Sequence, residues 1–357
     1  MNLTLRELEH CLLGAPETPA AEDVKLTKVT TDSRAATRGD VFFCLEGERF
    51  DGHEFARQAV DRGAAAVVAS RLMPEVTDVP VILVKDTLAA LGRLAAFQRG
   101  RTNATVVAIT GSAGKTTVKE MLAQVLSLDM DVHKNYKNFN NQIGLPLAIL
   151  EAGGDEDVWV LELGISRPGD MEDLGPVAAP DVAIVHNVGQ AHLEGLGGVE
   201  GVARAKAKLL SYLRPGGRGI VNADYPLLAA EASRILPDVL SFSTTDEAAE
   251  FHCDFQGPTE GGMGRYRLKT PDMDAEMVLP FCGRHLAENV AAVAAAAFVL
   301  GLSNDSLLRG LSRISLPEMR FACRRCARWL VIDDSYNANP LSMHSALDTT
   351  RKRSEER

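Results

Sequence analysis

Val106-Val-Ala-Ile-Thr-Gly-Ser-Ala-Gly-Lys-Thr-Thr117 is the stretch that decides the fold. Val106 to Ile109 form a short apolar, β-branched run of the kind that makes a buried strand. Gly111 and Gly114 let the backbone turn tightly and point its N–H groups inward. Lys115 can reach the β- and γ-phosphates of a nucleotide, and the Thr116 hydroxyl can ligate Mg²⁺. Beyond them Val118, Met121, Leu122, Val125 and Leu126 recur at helical spacing, so bound phosphates would lie at a helix N-terminus. Ile109 stands where the longer Walker pattern has its first glycine, so the loop is a shorter relative of that motif. Gly111, Ser112, Ala113, Gly114, Lys115, Thr116 and Thr117 are therefore the expected cradle for ATP.

The pattern on either side is α/β. After the loop come strands at Val158–Leu163, Val182–Asn187 and Gly219–Asn222, alternating with helical segments. Such alternation predicts a mostly parallel sheet covered on both faces, with ligands at the strands' C-terminal ends. Gly264–Leu268 and Ala275–Leu279 read as an appended antiparallel hairpin, and Leu286–Leu300 as an Ala-rich helix. Upstream, apolar segments at Val41–Leu45, Ala65–Ala69 and Val79–Val84 suggest a small α/β unit, joined through an amphipathic helix at Asp86–Arg101. The expected domains are residues 1–85, residues 86–315 with the phosphate loop, and residues 316–357. The last begins a strand at Trp329 and a helix, which together cannot bury both their apolar faces, so it reads as the opening of a third, Rossmann-like domain.

The 357 residues exceed one ordinary core. A net charge of −10 argues against a general nucleic-acid binder, so phosphate recognition should be local. No apolar run approaches the ~20 residues that span a bilayer, and Arg6, Glu7 and Glu9 exclude a signal peptide at the N-terminus. The six cysteines are scattered and suit a reducing cytoplasm. Cys323 and Cys326 lack the second pair that a zinc ribbon needs and run into an apolar strand, so they read as structural or incidental thiols.

Other candidates sit at the predicted strand ends. Glu162 closes Trp159-Val-Leu-Glu162, where a buried carboxylate needs a partner such as Mg²⁺. His192 follows the next strand and would reach the same rim as metal ligand or structural donor. Lys206 and Lys208 read, by pattern alone, as a basic helical face. Near the N-terminus, Thr31-Asp-Ser-Arg34 and Asp51-Gly-His-Glu-Phe55 are turns that suit a polar ligand or simple capping.

Taken in order, these motifs resemble the Mur ligases over essentially the whole chain. Thr110–Thr117 is similar to the family's nucleotide loop, and Asn138-Phe-Asn-Asn-Gln-Ile-Gly-Leu-Pro146 to its substrate-facing loop. Glu162-Leu-Gly164 and Asn187-Val-Gly189 with Ala191-His192 resemble its metal-binding strand ends. Asp333-Asp-Ser-Tyr-Asn-Ala-Asn-Pro340 is most particular to members that add D-alanyl-D-alanine. The resemblance implies Lys115, Lys206 and His192 as catalytic residues, with Mg²⁺ held by Thr116, Glu162, His192 and a carbamylated Lys206. It implies His285 and Asn289 beside the adenine, and Arg320 and Asp334 facing ATP. Asp32, Ser33 and Arg34, with Asn140 and Asn141, would bind substrate.

The implied activity is ATP-dependent amide ligation of D-alanyl-D-alanine to UDP-N-acetylmuramoyl-tripeptide through an acyl phosphate, by a cytoplasmic monomer that neither binds nucleic acid nor enters membranes. In the family a further domain follows the Tyr336–Pro340 segment and closes over ATP, which implies a C-terminally truncated chain with impaired turnover. The alternatives are another Mur-type amide ligase, such as a folylpolyglutamate synthase or a cyanophycin synthetase domain, or a non-catalytic protein that binds nucleotide and UDP-sugar. Asp32-Ser-Arg34 and Asp333–Met343 argue against the other ligases, and ligand-dependent ADP release separates an enzyme from a binding module.

Overall fold

The computed structural model describes residues 3–17, 19, 23–189, 193–259, 263–326, 329–338 and 340–355. Its framework divides into two compact units. One comprises Met1–Ala104, Asn135–Glu156 and Pro176–Ala178; the other comprises Thr105–Lys134, Asp157–Gly175 and Ala179–Arg357.

The first unit is built on a four-stranded parallel sheet in chain order: Val29–Thr30, Val41–Phe43, Ala66–Ala69 and Val81–Leu83. Phe42, Cys44 and Val67 pack on Ala56 and Ala59 of a short helix, all fully buried. The helix Leu5–Leu13 starts on a reciprocal cap, in which Thr4 Oγ1 accepts from the Glu7 N–H and the Glu7 carboxylate accepts from the Thr4 N–H. Asp86 caps the helix Thr87–Arg101 by accepting from the Ala89 N–H, and Thr87 Oγ1 donates to the Cys44 carbonyl 2.9 Å away. Within this unit that helix packs on Gly144–Glu151 and Leu5–Leu13.

The second unit holds a nine-stranded sheet, ordered Met273–Leu279, Gly264–Thr270, Phe251–Pro258, Leu240–Ser243, Arg218–Asn222, Val182–Val185, Thr105–Thr110, Val158–Glu162 and Val132–Lys134. Gly264–Thr270 pairs antiparallel with both its neighbours, and the pairs from Phe251–Pro258 onward are parallel, so the sheet is mostly parallel with a terminal hairpin as expected. Its central strands are continuous apolar runs because both faces are covered: Val106, Val107, Ala108 and Ile109 are fully buried. One covering layer is the helix Arg284–Val299, whose Val290 to Ala297 are all inaccessible. Small alanines let it lie close to the strands.

From Thr105–Thr110 the chain goes first to Val132–Lys134 and Val158–Glu162 on one side, then to Val182–Val185 on the other. The C-terminal end of Thr105–Thr110 is therefore the switch point at which open α/β sheets bind ligands. A strand that the sequence pattern did not suggest, Ala322–Cys326, pairs antiparallel with Trp329–Asp333. Among the described residues no helix is long and apolar enough to cross a membrane.

Candidate active site

At the switch point the chain turns through Gly111 to Gly114 into the helix Lys115–Leu126. Gly114 has φ +76°, and a Cβ there would fall 2.8 Å from His186 Nε2, so no other residue fits without displacement. No side chain caps this helix, which leaves its first N–H groups for a ligand. The loop is tied to the next strand: Asn187 Oδ1 accepts from the Ser112 and Ala113 N–H groups at 3.0 and 2.9 Å.

Charge converges on this turn. Lys115 Nζ and Lys206 Nζ both donate to the Gly111 carbonyl, at 2.9 and 3.0 Å. Glu162 is 2% exposed and accepts from Thr116 Oγ1 at 2.7 Å, while the same hydroxyl accepts from Arg320 Nη2 at 3.0 Å. The Arg320 guanidinium lies 4.1 Å from the Tyr336 ring centroid. Burial pushes the Lys115 ammonium down, with Glu162 opposing and Arg320 adding to the effect. It pushes Lys206 well down too, reinforced by Lys115 and opposed by Glu162. Lys115, Lys206 and Arg320 thus crowd around one buried carboxylate that Lys119 also faces, a deficit of negative charge that a polyphosphate would fill.

Behind the loop is a cavity of about 90 Å³, lined by Gly114, His186, Asn187, His285, Asn289 and Arg320, among others. Asn289 is buried, and His285 meets the Phe321 ring edge-on at 4.9 Å. Asp334 Oδ1 accepts from the Phe321 N–H at 3.0 Å, and burial raises its carboxyl. His186 stacks on Phe242 with centroids 5.8 Å apart. Burial brings its imidazole down to about 4, opposed by a hydrogen bond with Asn289 and reinforced by Lys115. Its unfolded value is near 6.5, so the unfolded chain takes up this proton first on acidification. Stability is then unaffected above pH 6.5 and falls as pH drops toward 4, by up to about 3 kcal/mol from this residue. Urea unfolding of wild type and His186→Gln from pH 7.5 to 4 checks this: the variant should show the shallower decline.

Lys115, Thr116, Glu162, Lys206, His285, Asn289, Arg320 and Asp334 are thus brought together in the second unit. Asp32, Ser33, Arg34, Asn140 and Asn141 belong to the first. There Arg34 grips Asp32 through Nε and Nη2 at 2.9 and 2.7 Å, and that grip holds the Asp32 carboxyl at about 2. Ser33 Oγ donates to Gln58 Oε1 at 2.6 Å. Asn141 Oδ1 accepts from the Ile143 and Gly144 N–H groups as the chain enters the helix Gly144–Glu151. His192 lies outside the described residues, as do the side chains of Cys323 and Cys326.

Residues 109–297 match the Mur ligase middle domain, and residues 25–99 match the Mur ligase family, catalytic domain. The chain is 37% identical over 356 residues to UDP-N-acetylmuramoyl-tripeptide–D-alanyl-D-alanine ligase of Escherichia coli (strain K12), covering 97% of this chain and 76% of that protein. The chain belongs to the Mur ligase family. Among solved structures, MurF from Acinetobacter baumannii superposes with a TM-score of 0.90 at 32% identity, covering 99% of this chain and 77% of that one. MurF ligase from Thermotoga maritima, in complex with ADP, gives a TM-score of 0.84 at 31% identity, with coverages of 91% and 74%.

Within this Mur ligase the pattern-based reading of a basic face at Lys206 and Lys208 is corrected. Lys206 is 1% exposed, whereas Lys208 is open to solvent and pairs with Glu172. Residues two apart on a helix point to opposite sides, so one lysine enters the site and the other leaves it. The sequence reading did not single out His186, Glu288 or Lys119. Lys119 is fully buried, with its ammonium facing Glu162 and Glu120. Glu288 did carry a signal: it is the one charged residue from Leu286 to Ala297, a stretch whose other polar residue is Asn289.

Proposed function

We propose that this Mur ligase joins D-alanyl-D-alanine to UDP-N-acetylmuramoyl-tripeptide with ATP, forming an amide, ADP and phosphate. The observation that carries the reading is the meeting of Lys115 and Lys206 at the Gly111 carbonyl with Arg320 on the Thr116–Glu162 pair, in a chain 37% identical to a ligase of that name.

A carboxylate is a poor electrophile because any leaving oxygen carries a full charge. The tripeptide's terminal carboxylate therefore attacks the γ-phosphorus, the bond to the β-phosphate oxygen breaks, and ADP departs. The neutral amine of D-alanyl-D-alanine then adds to the acyl carbon. The resulting tetrahedral centre collapses with loss of phosphate, and the amine gives up one proton. Lys115 and the helix N-terminus hold the phosphates, and Arg320 neutralises charge between them. The hydroxyl of Thr116 and the carboxylate of Glu162 are hard oxygen donors side by side, which is the donor chemistry Mg²⁺ takes. They would hold it with His192 and a carbamylated Lys206, and it would offset the charge gathered between carboxylate and triphosphate. His285 and Asn289 would face the adenine and Asp334 the nucleotide. Asp32, Ser33, Arg34, Asn140 and Asn141 would take the UDP-linked substrate. In this reading residues 1–85 serve that substrate, residues 86–315 bind ATP, residues 316–357 reach the nucleotide through Arg320, and the protein works as a cytoplasmic monomer.

A coupled ADP-release assay tests the proposal. ADP should form in step with the amide product, and only when both acceptor and donor are supplied. ADP release indifferent to either substrate, or none with both present, would overturn it. For the metal role, Glu162→Ala should loosen ADP binding about ten-fold in Mg²⁺ and leave binding in EDTA nearly unchanged. Equal losses in both conditions, read by calorimetry, would remove Glu162 from the metal site.

A further inference from the structure

We infer that Tyr336 is a positioning residue for the nucleotide site, its ring holding the Arg320 guanidinium against the phosphate loop. The inference rests on the reading that this loop binds the nucleotide.

The backbone around Arg320 gives the first reason. Met319 and Phe321 stand at φ +57° and +53°, in the left-handed region that bulky side chains rarely occupy. Two such residues flanking one arginine cost free energy, so other contacts must hold the segment in that shape. A later stretch of chain supplies them. Asp334 Oδ1 accepts from the Phe321 N–H at 3.0 Å, and the Tyr336 N–H donates to the Met319 carbonyl at 3.2 Å. Residues 334–336 therefore clasp residues 319–321 on either side of the arginine.

The side chains complete the clasp. Arg320 Cζ lies 4.1 Å from the Tyr336 ring centroid, within reach of the attraction between a cation and a π face. Arg320 Nη2 donates to Thr116 Oγ1 at 3.0 Å, and that hydroxyl donates to Glu162 at 2.7 Å. Ring, guanidinium, hydroxyl and carboxylate thus form one line, from just past the strand Trp329–Asp333 to the first turn of the helix Lys115–Leu126. Arginine is long and loses much rotamer freedom when its tip is fixed. A ring against the guanidinium is a second attachment, which lowers the entropy still to be lost at the hydroxyl. Tyr336 is 42% exposed, so core packing is not what its ring supplies. The cavity beside the loop is lined by Arg320, Phe321 and Asp334 together with Gly114 and Thr117, so the clasp shapes the surface offered to a nucleotide.

The test compares Tyr336→Leu, which keeps apolar bulk without a π face, with Tyr336→Phe, which keeps the ring. Each is made alone and with Arg320→Met, and Mg²⁺-ADP binding is followed by calorimetry. Tyr336→Leu should loosen ADP about five-fold and Tyr336→Phe by less than about two-fold. In the Arg320→Met background Tyr336→Leu should add less than about a further 1.5-fold, because the cation it acts through is gone. NMR of the arginine side chains gives a second, ligand-free reading. The Arg320 Nε–H proton, assigned by its loss in Arg320→Met, should be shifted by the ring current in wild type and Tyr336→Phe and return toward the ordinary value in Tyr336→Leu. Wild-type binding by Tyr336→Leu, equal losses for Leu and Phe, an undiminished Leu effect without Arg320, or an Arg320 resonance unchanged in Tyr336→Leu would overturn the inference. Failure of the wild type to bind ADP would instead overturn the nucleotide reading beneath it.

Discussion

Replacing Lys115 by alanine is expected to lower kcat/KM for ATP about 10³-fold, while the folded protein becomes no less stable. The stability half follows from the site. The ammonium is buried, its charge is disfavoured there, and its recorded hydrogen bond goes to a neutral carbonyl, that of Gly111. Removing such a cation relieves a desolvation cost and leaves no opposite charge newly stranded, since Glu162 keeps Thr116 and faces Lys119. The catalytic half follows from when the charge is needed. Negative charge builds on the oxygens of the transferring phosphoryl group, and a fixed cation in a water-poor pocket stabilises that state more than it stabilises bound ATP. Steady-state ADP release and thermal unfolding of the same preparation check both halves. Turnover within ten-fold of wild type would remove Lys115 from the chemistry.

Lys206→Ala should lose about 10²- to 10³-fold in turnover and recover part of it when formate or acetate is added. Here the physical argument starts with a free amine. Burial and the nearby Lys115 charge push Lys206 well below the ordinary lysine range, which favours its neutral form. A neutral amine adds to CO₂, and release of one proton leaves a carbamate. That converts a neutral amine in the cluster into an anion, which the neighbouring positive charges favour. A small carboxylate diffusing into the space left by alanine can stand in for the carbamate, whereas it cannot if the lysine acts as an ammonium. Rescue that depends on carboxylate size and is absent from Lys115→Ala would support the assignment. A uniform lack of rescue, with wild-type turnover indifferent to bicarbonate, would refute it.

Much of this architecture was legible before the fold was known. The runs Val106–Ile109, Val158–Leu163 and Val182–Asn187 are long, apolar and β-branched, and a strand buried on both faces leaves little alternative. The loop was legible because glycine, lysine and hydroxyl spacing is set by the phosphate rather than by the rest of the protein. What escaped depends on distance in sequence. Asn187 meets Ser112 and Ala113 across 75 and 74 residues, and Arg320 meets Thr116 across 204. No local pattern encodes such pairings. The strand Ala322–Cys326 was missed because Arg324 and Arg325 interrupt the alternation that marks a half-buried strand. Lys206 is a different case, since helical geometry alone separates it from Lys208.

The central claim is that carboxylate activation by phosphoryl transfer precedes amide formation. It is tested most directly by supplying UDP-linked tripeptide with ¹⁸O in its terminal carboxylate, together with ATP, Mg²⁺ and D-alanyl-D-alanine. The account predicts that each amide formed leaves one ¹⁸O in the inorganic phosphate, because the bridging oxygen of the acyl phosphate departs with phosphorus. Amide product accompanied by unlabelled phosphate would contradict it.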